Sequence, residues 1–371
     1  MYKDLISAII NSQINEARDC LDSLLEAGVQ PWAIHEALFP AIHGVLNPPF
    51  INPHLPKMYA INRELVPYLE PEDVALLVRV EIEEYTRRDK LPLIAKPVSI
   101  LSCKDFTEVE KAIAANNVKA TAIALSAYLR TSGPKLLAKK LLLLGSGYLN
   151  HTLGHSISCT AFILLEMLYR GDEDPWPVIA SLAEYFCKGA FDQSPKLQYS
   201  AISDYPEVYL TDVKRAISGS GIVALHHTIT LYAIERSRHL FEHHEYDHAL
   251  TMWMRMLGDK EEDLYPIKEI ASNSLPDFEL FFEVFMQHDP FLVLGMIKTV
   301  LNSKKERTRL GRFLIKALLR CYNGQYNPHY LTGLGALLWI LDRYHDTPII
   351  VLNGSLQYLD FFFSSVDHET V

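Results

Sequence analysis

Cysteine is scarce in this chain, and the cysteines present form no motif. The 371 residues include five cysteines, which are scattered along the chain and form no Cys-x-x-Cys pair: Cys20, Cys103, Cys159, Cys187 and Cys321. An odd, scattered set predicts neither a disulfide framework nor a zinc ribbon. We therefore expect the chain in a reducing compartment, the cytoplasm.

Long hydrophobic runs and an excess of basic residues are also lacking. No apolar stretch reaches the ~18 residues of a membrane span, and the N-terminus has no signal-peptide core. The 35 basic residues are outnumbered by 45 acidic ones, which gives a net charge of -10. Because this balance disfavours nucleic acid and anionic membranes, we expect neither as a partner. A small-molecule substrate is expected, and a homo-oligomer or a helical protein partner is compatible with the composition.

The usual cofactor motifs are missing as well. The sequence contains no Gly-x-x-x-x-Gly-Lys-Ser/Thr, no Gly-x-Gly-x-x-Gly and no Gly-x-Ser-x-Gly pattern. A phosphate loop, a dinucleotide-binding turn and a hydrolase nucleophile elbow are therefore not predicted. Neither a nucleotide nor a flavin is expected as a cofactor.

Helical periodicity runs through almost the whole sequence. Apolar residues recur at helical spacing between glycines and prolines, as from Leu5 to Leu25 in a predicted helix that ends at Gly28. The pattern predicts an all-α bundle of roughly fifteen helices, with paired, solenoid-like stacking as a variant. A proline-rich segment at 91–101 suggests an N-terminal helical module (1–90) and a main helical domain (91–371) that carries the histidine helices.

One predicted helix, Asn150–Tyr169, concentrates residues that could bind a metal. At ~100° per residue, His151 and His155 lie about 40° apart, and Glu166 falls about 20° from His155. A buried carboxylate is costly unless it is paired, hydrogen-bonded or metal-bound. Glu166 is also eleven residues beyond His155, a rise of ~16 Å. We therefore interpret Glu166 as a partner of another side chain, in preference to a ligand of the ion that His155 would bind.

A second predicted helix, Gly221–Phe241, repeats the arrangement with His226 and His227. Imidazole is the commonest metal ligand, and helical cores often bind iron through histidine and glutamate side chains from facing helices. The metal-ligand candidates are His151, His155, His226, His227 and Glu166. If they form a site, the two helices face each other, and the absence of thiolate favours iron over zinc.

The histidines also allow a simpler interpretation. The chain has 15 of them, and buried histidines often only exchange hydrogen bonds with hydroxyls and carbonyls. A third group, within residues 238–248, is so polar that a solvated helix end is predicted. His35, His43 and His54 are interpreted as lone hydrogen-bonding or surface residues, and Cys159 as a small core residue.

Two segments resemble a known family. Asn150-His-Thr-Leu-Gly-His-Ser-Ile and Leu225-His-His-Thr-Ile-Thr-Leu-Tyr-Ala-Ile are similar to the histidine-bearing helices of questin oxidase-like proteins and related helical proteins encoded beside Rieske-type components. The resemblance covers about forty residues, with His155 and one of His226 or His227 at the matching positions. It implies a non-haem iron oxygenase that acts on aromatic rings. The family's N-terminal histidine motif and its lysine-containing ligand segment are not evident.

Two functional hypotheses follow. The first is a metal-dependent oxidase or oxygenase, with iron as cofactor, that holds a small apolar or aromatic substrate in a dry pocket. The second is a non-catalytic helical interaction or accessory protein, whose histidines satisfy one another inside the core. Metal content and the distances between the histidines distinguish them.

Overall fold

The computed structural model describes residues 2–45, 52–98, 105–171, 174–189, 205–324 and 327–369. The regular secondary structure of these residues is helical. The nineteen α-helices of these described residues are α1 (Tyr2–Ile10), α2 (Ile14–Glu26), α3 (Pro31–Ile42), α4 (His54–Leu65), α5 (Pro71–Arg87), α6 (Thr107–Ala114), α7 (Val118–Ser132), α8 (Pro134–Ser146), α9 (Leu149–Thr152), α10 (His155–Arg170), α11 (Trp176–Lys188), α12 (Tyr205–Ile217), α13 (Gly221–Ser237), α14 (His243–Leu257), α15 (Phe278–Phe285), α16 (Pro290–Val300), α17 (Lys304–Arg320), α18 (His329–Arg343) and α19 (Pro348–Glu369). The predicted all-α class is confirmed.

Two predicted helices are each divided in the structure. The segment from Leu5 to Leu25 forms α1 and α2, because Ser12 between them adopts a left-handed φ of 57°. The predicted helix Asn150–Tyr169 forms α9 and α10, because Leu153 (φ 49°) and Gly154 (φ 79°) are both left-handed. Two consecutive left-handed residues cannot belong to a right-handed helix. Apolar periodicity continued across both breaks, so it did not reveal them.

Contacts within the chain divide it into two units. The first comprises residues 1–60, 78–201 and 233–256, and the second comprises 61–77, 202–232 and 257–371. The domain boundary predicted near residue 91 stays a prediction. The described part of the proline-rich segment, 91–98, contains no strand, and an isolated bridge joins Val45 to Lys90. The sequence from Gly189 to Pro206 is polar and predicts turns, but it falls mainly on 190–204, outside the described residues.

In the first unit, α10 is buried along most of its length and packs against α8. A helix that is apolar on all sides belongs in a core. Gly145 of α8 allows the close approach, because a Cβ atom there would lie 2.5 Å from the carbonyl oxygen of Ser156. The Ser156 hydroxyl donates a hydrogen bond of 2.7 Å to the Gly145 carbonyl. This contact fixes the beginning of α10, where His155 lies.

In the second unit, α18 and α19 pack against each other, and α19 also contacts α12 and α16. Gly333 of α18 allows a close approach, since a Cβ atom there would lie 3.0 Å from the Tyr358 ring. The aromatic side chains between Tyr358 and Phe363 are buried. These contacts fix the first turn of α18, which begins with His329.

One segment of α19 is long and apolar enough, by length and composition alone, to cross a membrane. The segment is Pro348–Val366, and most of it is buried inside the protein. A core helix of similar length passes the same test. The expectations of a cytoplasmic location and of no membrane partner therefore stay predictions.

Candidate functional site

The first unit contains a buried pair of histidines. His54 is the first residue of α4 and His155 the first of α10, and their Nε2 atoms are 2.7 Å apart. The side chains are 2% and 6% exposed. The Nδ1 of His155 lies 2.6 Å from the carbonyl oxygen of Thr152, which can only accept a hydrogen bond. We therefore assign the proton of neutral His155 to Nδ1, so its Nε2 presents a lone pair to His54.

The second unit contains a second buried pair. The Nε2 atoms of His226 on α13 and His329 on α18 are 3.1 Å apart, and the residues are 3% and 7% exposed. The Nδ1 of His226 lies 2.6 Å from the carbonyl oxygen of Ile222. The Nδ1 of His329 lies 2.8 Å from Oδ1 of Asn327, an atom that also accepts the His329 backbone N–H and is therefore oxygen. Both rings thus carry their neutral-state proton on Nδ1.

This tautomer assignment has a chemical consequence for the His226–His329 pair. If both imidazoles are neutral, two Nε2 lone pairs face each other across 3.1 Å. Such lone pairs repel unless a cation, either a proton or a metal ion, lies between them. First-row metals bind imidazole nitrogen at ~2.0–2.1 Å, which places neighbouring ligand nitrogens about 3–4 Å apart. The observed separation lies within that range.

The His54–His155 pair has a different requirement. The carbonyl of Thr152 fixes only the His155 tautomer, so Nε2 of His54 can carry a proton and donate to Nε2 of His155 across 2.7 Å. This hydrogen bond satisfies both facing nitrogens without an ion. A metal at this pair would require His54 to move that proton to Nδ1 and the two nitrogens to separate by a few tenths of an ångström.

The structure separates His151 from the other candidates. The predicted shared face of His151 and His155 is wrong, because the left-handed residues Leu153 and Gly154 place them on different helices. His151 is exposed on α9, whereas His155 is buried. Without a continuous helix, the 40° spacing does not bring the two imidazoles together.

The remaining predicted ligands differ in their surroundings. His226 belongs to the second pair, and the adjacent His227 is 8% exposed, with its pKa lowered to about 4 by burial and by the nearby charge of Lys260. Glu166 is 3% exposed in the last turns of α10. Its rise from His155 along that helix, ~16 Å, is too large for both to bind one ion.

Sequence reasoning missed His54 and His329, which are buried and each offer a ring nitrogen as a ligand. His54 was interpreted as a lone linker residue, although the structure places it in α4. A shared signal exists, since His54, His155 and His329 are each the first residue of their helix. Nearby prolines, Pro56 and Pro328, mark two of these helix starts, because proline is favoured at the beginning of a helix.

The third histidine group is only partly solvated. His243 is exposed and its Nδ1 lies 2.8 Å from Oδ2 of Asp247, as expected for a polar helix end. His248, one turn into α14, is 2% exposed, and burial lowers its pKa. The prediction of a solvated helix end therefore holds for His243 and is wrong for His248.

No protein-family model, curated protein or solved structure matches this chain. The resemblance to questin oxidase-like proteins therefore stays a prediction that rests on two short segments.

A buried amine and a buried thiol lie one helical turn beyond the first pair. Lys57 on α4 and Cys159 on α10 are both 0% exposed and interact electrostatically. Burial lowers the pKa of Lys57 and raises the pKa of Cys159 to about 11, so both groups favour their uncharged forms. The Nζ of Lys57 has no hydrogen-bond partner among the described residues.

Replacing Lys57 by methionine is expected to stabilise the protein by about 1–3 kcal/mol, because a buried amine without a hydrogen bond is replaced by an apolar side chain of similar length. Denaturant unfolding of the two proteins measures the difference. A loss of stability would mean that the amine has a favourable interaction in the folded state.

A buried, hydrogen-bonded histidine–glutamate pair lies elsewhere in the first unit. The Nδ1 of His35 is 2.8 Å from Oε2 of Glu81, and both side chains are 0% exposed. The imidazole stacks between Trp32 and Tyr59, with ring centroids 4.1 and 4.0 Å away. The Tyr85 hydroxyl donates to Glu81 at 3.3 Å. The interpretation of His35 as a local hydrogen-bonding residue is confirmed.

His43 on the edge of α3 should make the protein sensitive to acid. Burial, together with the charge of Arg170, lowers its pKa to about 3 from an ordinary value of 6.5. Above pH 6.5 neither the folded nor the unfolded state binds this proton. Between pH 6.5 and about 3 only the unfolded state binds the proton. The free energy of unfolding therefore decreases as the pH is lowered through this range, by up to about 1.4 kcal/mol per pH unit.

We expect His43→Leu to remove this part of the acid sensitivity. On lowering the pH from 7 to 5, the wild type should lose about 2 kcal/mol more than the variant. Urea unfolding at several pH values gives both curves, and carboxylates common to the two proteins cancel in the difference. Parallel curves would show that His43 is protonated equally in both states.

Proposed function

We propose that this protein binds a first-row transition-metal ion through paired histidine imidazoles. We further propose that the ion is iron, used to oxidise a small, largely apolar substrate. The observation that supports metal binding is the His226–His329 pair, whose Nδ1 hydrogen bonds direct two Nε2 lone pairs at each other across 3.1 Å. A metal ion relieves that repulsion and uses both lone pairs.

The hydrogen bonds to Nδ1 also resemble those of known metal sites. Histidine ligands usually donate their second ring proton to a carbonyl or carboxylate, which fixes the ring and increases its basicity. Ile222 provides this acceptor for His226, Asn327 for His329 and Thr152 for His155. Three of the four paired histidines thus direct Nε2 towards the partner imidazole.

The donor set supports iron without selecting it uniquely. Imidazole nitrogen suits iron, nickel, copper and zinc, and the pairs contain no thiolate. A pair of histidines leaves coordination positions for other ligands, as required for a metal that activates dioxygen. The resemblance to questin oxidase-like proteins is the further support for iron and for an aromatic substrate.

The second candidate function is a non-catalytic helical interaction protein. The His54–His155 pair favours it, because one imidazole can donate to the other across 2.7 Å and satisfy both nitrogens without an ion. If the His226–His329 pair shares a proton in the same way, both pairs are structural. Metal content then separates the two functions.

Elemental analysis after anaerobic reconstitution, separately with Fe(II) and Zn(II), tests the proposal. We expect at least about one equivalent of metal per chain to remain after desalting. Less than about a tenth of an equivalent of either metal would favour the interaction protein. Retention of zinc alone would keep metal binding and contradict iron.

The oxidative part of the proposal has its own test. We expect air to oxidise the bound Fe(II), giving a ferric signal in electron paramagnetic resonance. Ferrous protein that remains stable in air would contradict an oxidase while leaving metal binding intact.

A further inference from the structure

A row of oxidisable side chains leads away from the His226–His329 pair in the second unit. Its members are Tyr232 on α13, Trp339 on α18, Tyr344 at the end of α18 and Tyr209 on α12. Tyrosine and tryptophan are among the side chains that lose an electron most readily. The row can therefore carry electrons if its members are in contact.

The inner end of the row lies a short way beyond the pair on both helices. Tyr232 follows His226 by six residues on α13, a rise of ~9 Å. Gly335 follows His329 by six residues on α18, and a Cβ atom there would lie 3.4 Å from a ring carbon of Tyr232. The Tyr232 ring, which is 2% exposed, thus packs between the two helices that carry the paired imidazoles.

Contacts continue from Tyr232 towards the surface. The ring centroids of Tyr232 and Trp339 are 5.7 Å apart, and those of Trp339 and Tyr344 are 5.8 Å apart. These are distances of aromatic rings in contact. The hydroxyl oxygens of Tyr344 and Tyr209 are 3.1 Å apart, so one phenol donates a hydrogen bond to the other. Tyr209 is partly exposed, and the row therefore connects a buried ring to a residue that solvent reaches.

We propose that this row is an electron relay that discharges unwanted oxidant at the His226–His329 pair, an inference that rests on the proposed function. Reduction of dioxygen at the pair without substrate leaves a strong one-electron oxidant next to the imidazoles, and a protein that hosts such chemistry has to suppress side reactions. The relay supplies an electron to that oxidant from a soluble hydrogen-atom donor, of which ascorbate is an example.

Electrons and protons balance along the relay. Trp339 loses one electron, which crosses the Tyr232 ring to the oxidant, and the indole keeps its proton. Tyr344 then returns an electron to Trp339, and its phenolic proton leaves through the Tyr209 hydroxyl to solvent. The Tyr344 phenoxyl takes a hydrogen atom from Tyr209 across the same 3.1 Å contact, and the soluble donor restores Tyr209. The oxidant gains one electron, the donor loses one hydrogen atom and one proton is released.

Pulse radiolysis of the metal-free, full-length protein tests the relay without requiring a metal. Azide radicals oxidise tryptophan, and the absorption of the tryptophan radical is followed together with that of the tyrosine phenoxyl. We expect a first-order component, independent of protein concentration, in which phenoxyl forms as the tryptophan radical decays. Trp339→Phe and Tyr344→Phe should each remove this component, because each deletes one partner of the contact at 5.8 Å.

Trp32→Phe is the matched control. Trp32 is also partly exposed, but it belongs to the first unit, so its replacement should leave the Tyr344-dependent component unchanged. Circular dichroism confirms that each variant is folded. Equal rates and amplitudes of phenoxyl formation in the wild type, Trp339→Phe and Tyr344→Phe would overturn the relay. A protein that retains no metal contradicts the proposed function instead, so the two failures are distinguishable.

Iron-loaded protein tests the connection between the relay and the pair. Hydrogen peroxide is added without substrate, together with a nitrone spin trap, and the digested protein is analysed by mass spectrometry. We expect a trapped radical on Tyr209, the exposed end of the relay, and its loss in Trp339→Phe at unchanged iron content. Equal trapping on Tyr209 in Trp339→Phe would overturn the connection.

Discussion

Replacing His329 by glutamine is expected to lower metal affinity by at least about 100-fold, beyond the 10–100-fold loss usual for partners that only orient a ligand. Glutamine stays polar but removes one of the two facing nitrogens of the His226–His329 pair. Metal titration of apo-protein, followed by elemental analysis after desalting, measures the effect.

His345→Gln is the matched control for this experiment. His345 also places Nδ1 near a carbonyl, that of Asp342 at 2.9 Å, but the hydrogen bond is exposed. We expect its affinity to match the wild type. A folded His329→Gln variant that keeps wild-type metal content would refute the assignment of the His226–His329 pair.

The His155→Gln variant tests whether the His54–His155 pair also binds metal. If the His54–His155 pair contributes to metal binding, affinity falls as it does for His329→Gln. If the pair is only a hydrogen bond between imidazoles, stability changes while metal content does not. The two variants together therefore assign metal binding to one pair or to both.

The second large effect is expected at the buried, hydrogen-bonded pair of His35 and Glu81. Glu81→Leu should destabilise the protein by about 3–5 kcal/mol, because it leaves an imidazole without its partner where both side chains are 0% exposed. It also removes the acceptor of the Tyr85 hydroxyl. Urea unfolding monitored by circular dichroism gives the free energy.

A double variant and an exposed pair provide the controls. His35→Phe combined with Glu81→Leu removes both polar partners and keeps a ring between Trp32 and Tyr59, so much of the loss should be recovered. Asp22→Asn breaks an exposed pair with Arg79 and should cost no more than about 1 kcal/mol. A double variant less stable than Glu81→Leu would contradict the unpaired-group explanation.

Local physics made the fold class predictable. A helix needs only that apolar residues recur every three or four positions between breakers, and this can be read from consecutive residues. The breaks at Ser12 and at Leu153–Gly154 could not be read in this way. A left-handed φ at serine or leucine is unfavourable by itself and is held by surrounding contacts.

The candidate site was predicted only in part. His155 and His226 were identified because each lies in an apolar helix, where an imidazole is conspicuous. Their partners are distant in the chain, since His54 precedes His155 by 101 residues and His329 follows His226 by 103. His54 sits beside a proline-rich segment that suggested a linker, and His329 has no second histidine near it in sequence.

The sequence by itself determined that this chain is helical, acidic and without nucleotide motifs, because composition and period are local properties. Only the tertiary structure decided which histidines meet and that Nδ1 carries the proton of neutral His155, His226 and His329. It also showed that Lys57 is fully buried beside Cys159. Those features depend on how distant helices pack, and pairings between residues far apart in the chain leave no periodic trace in a single sequence.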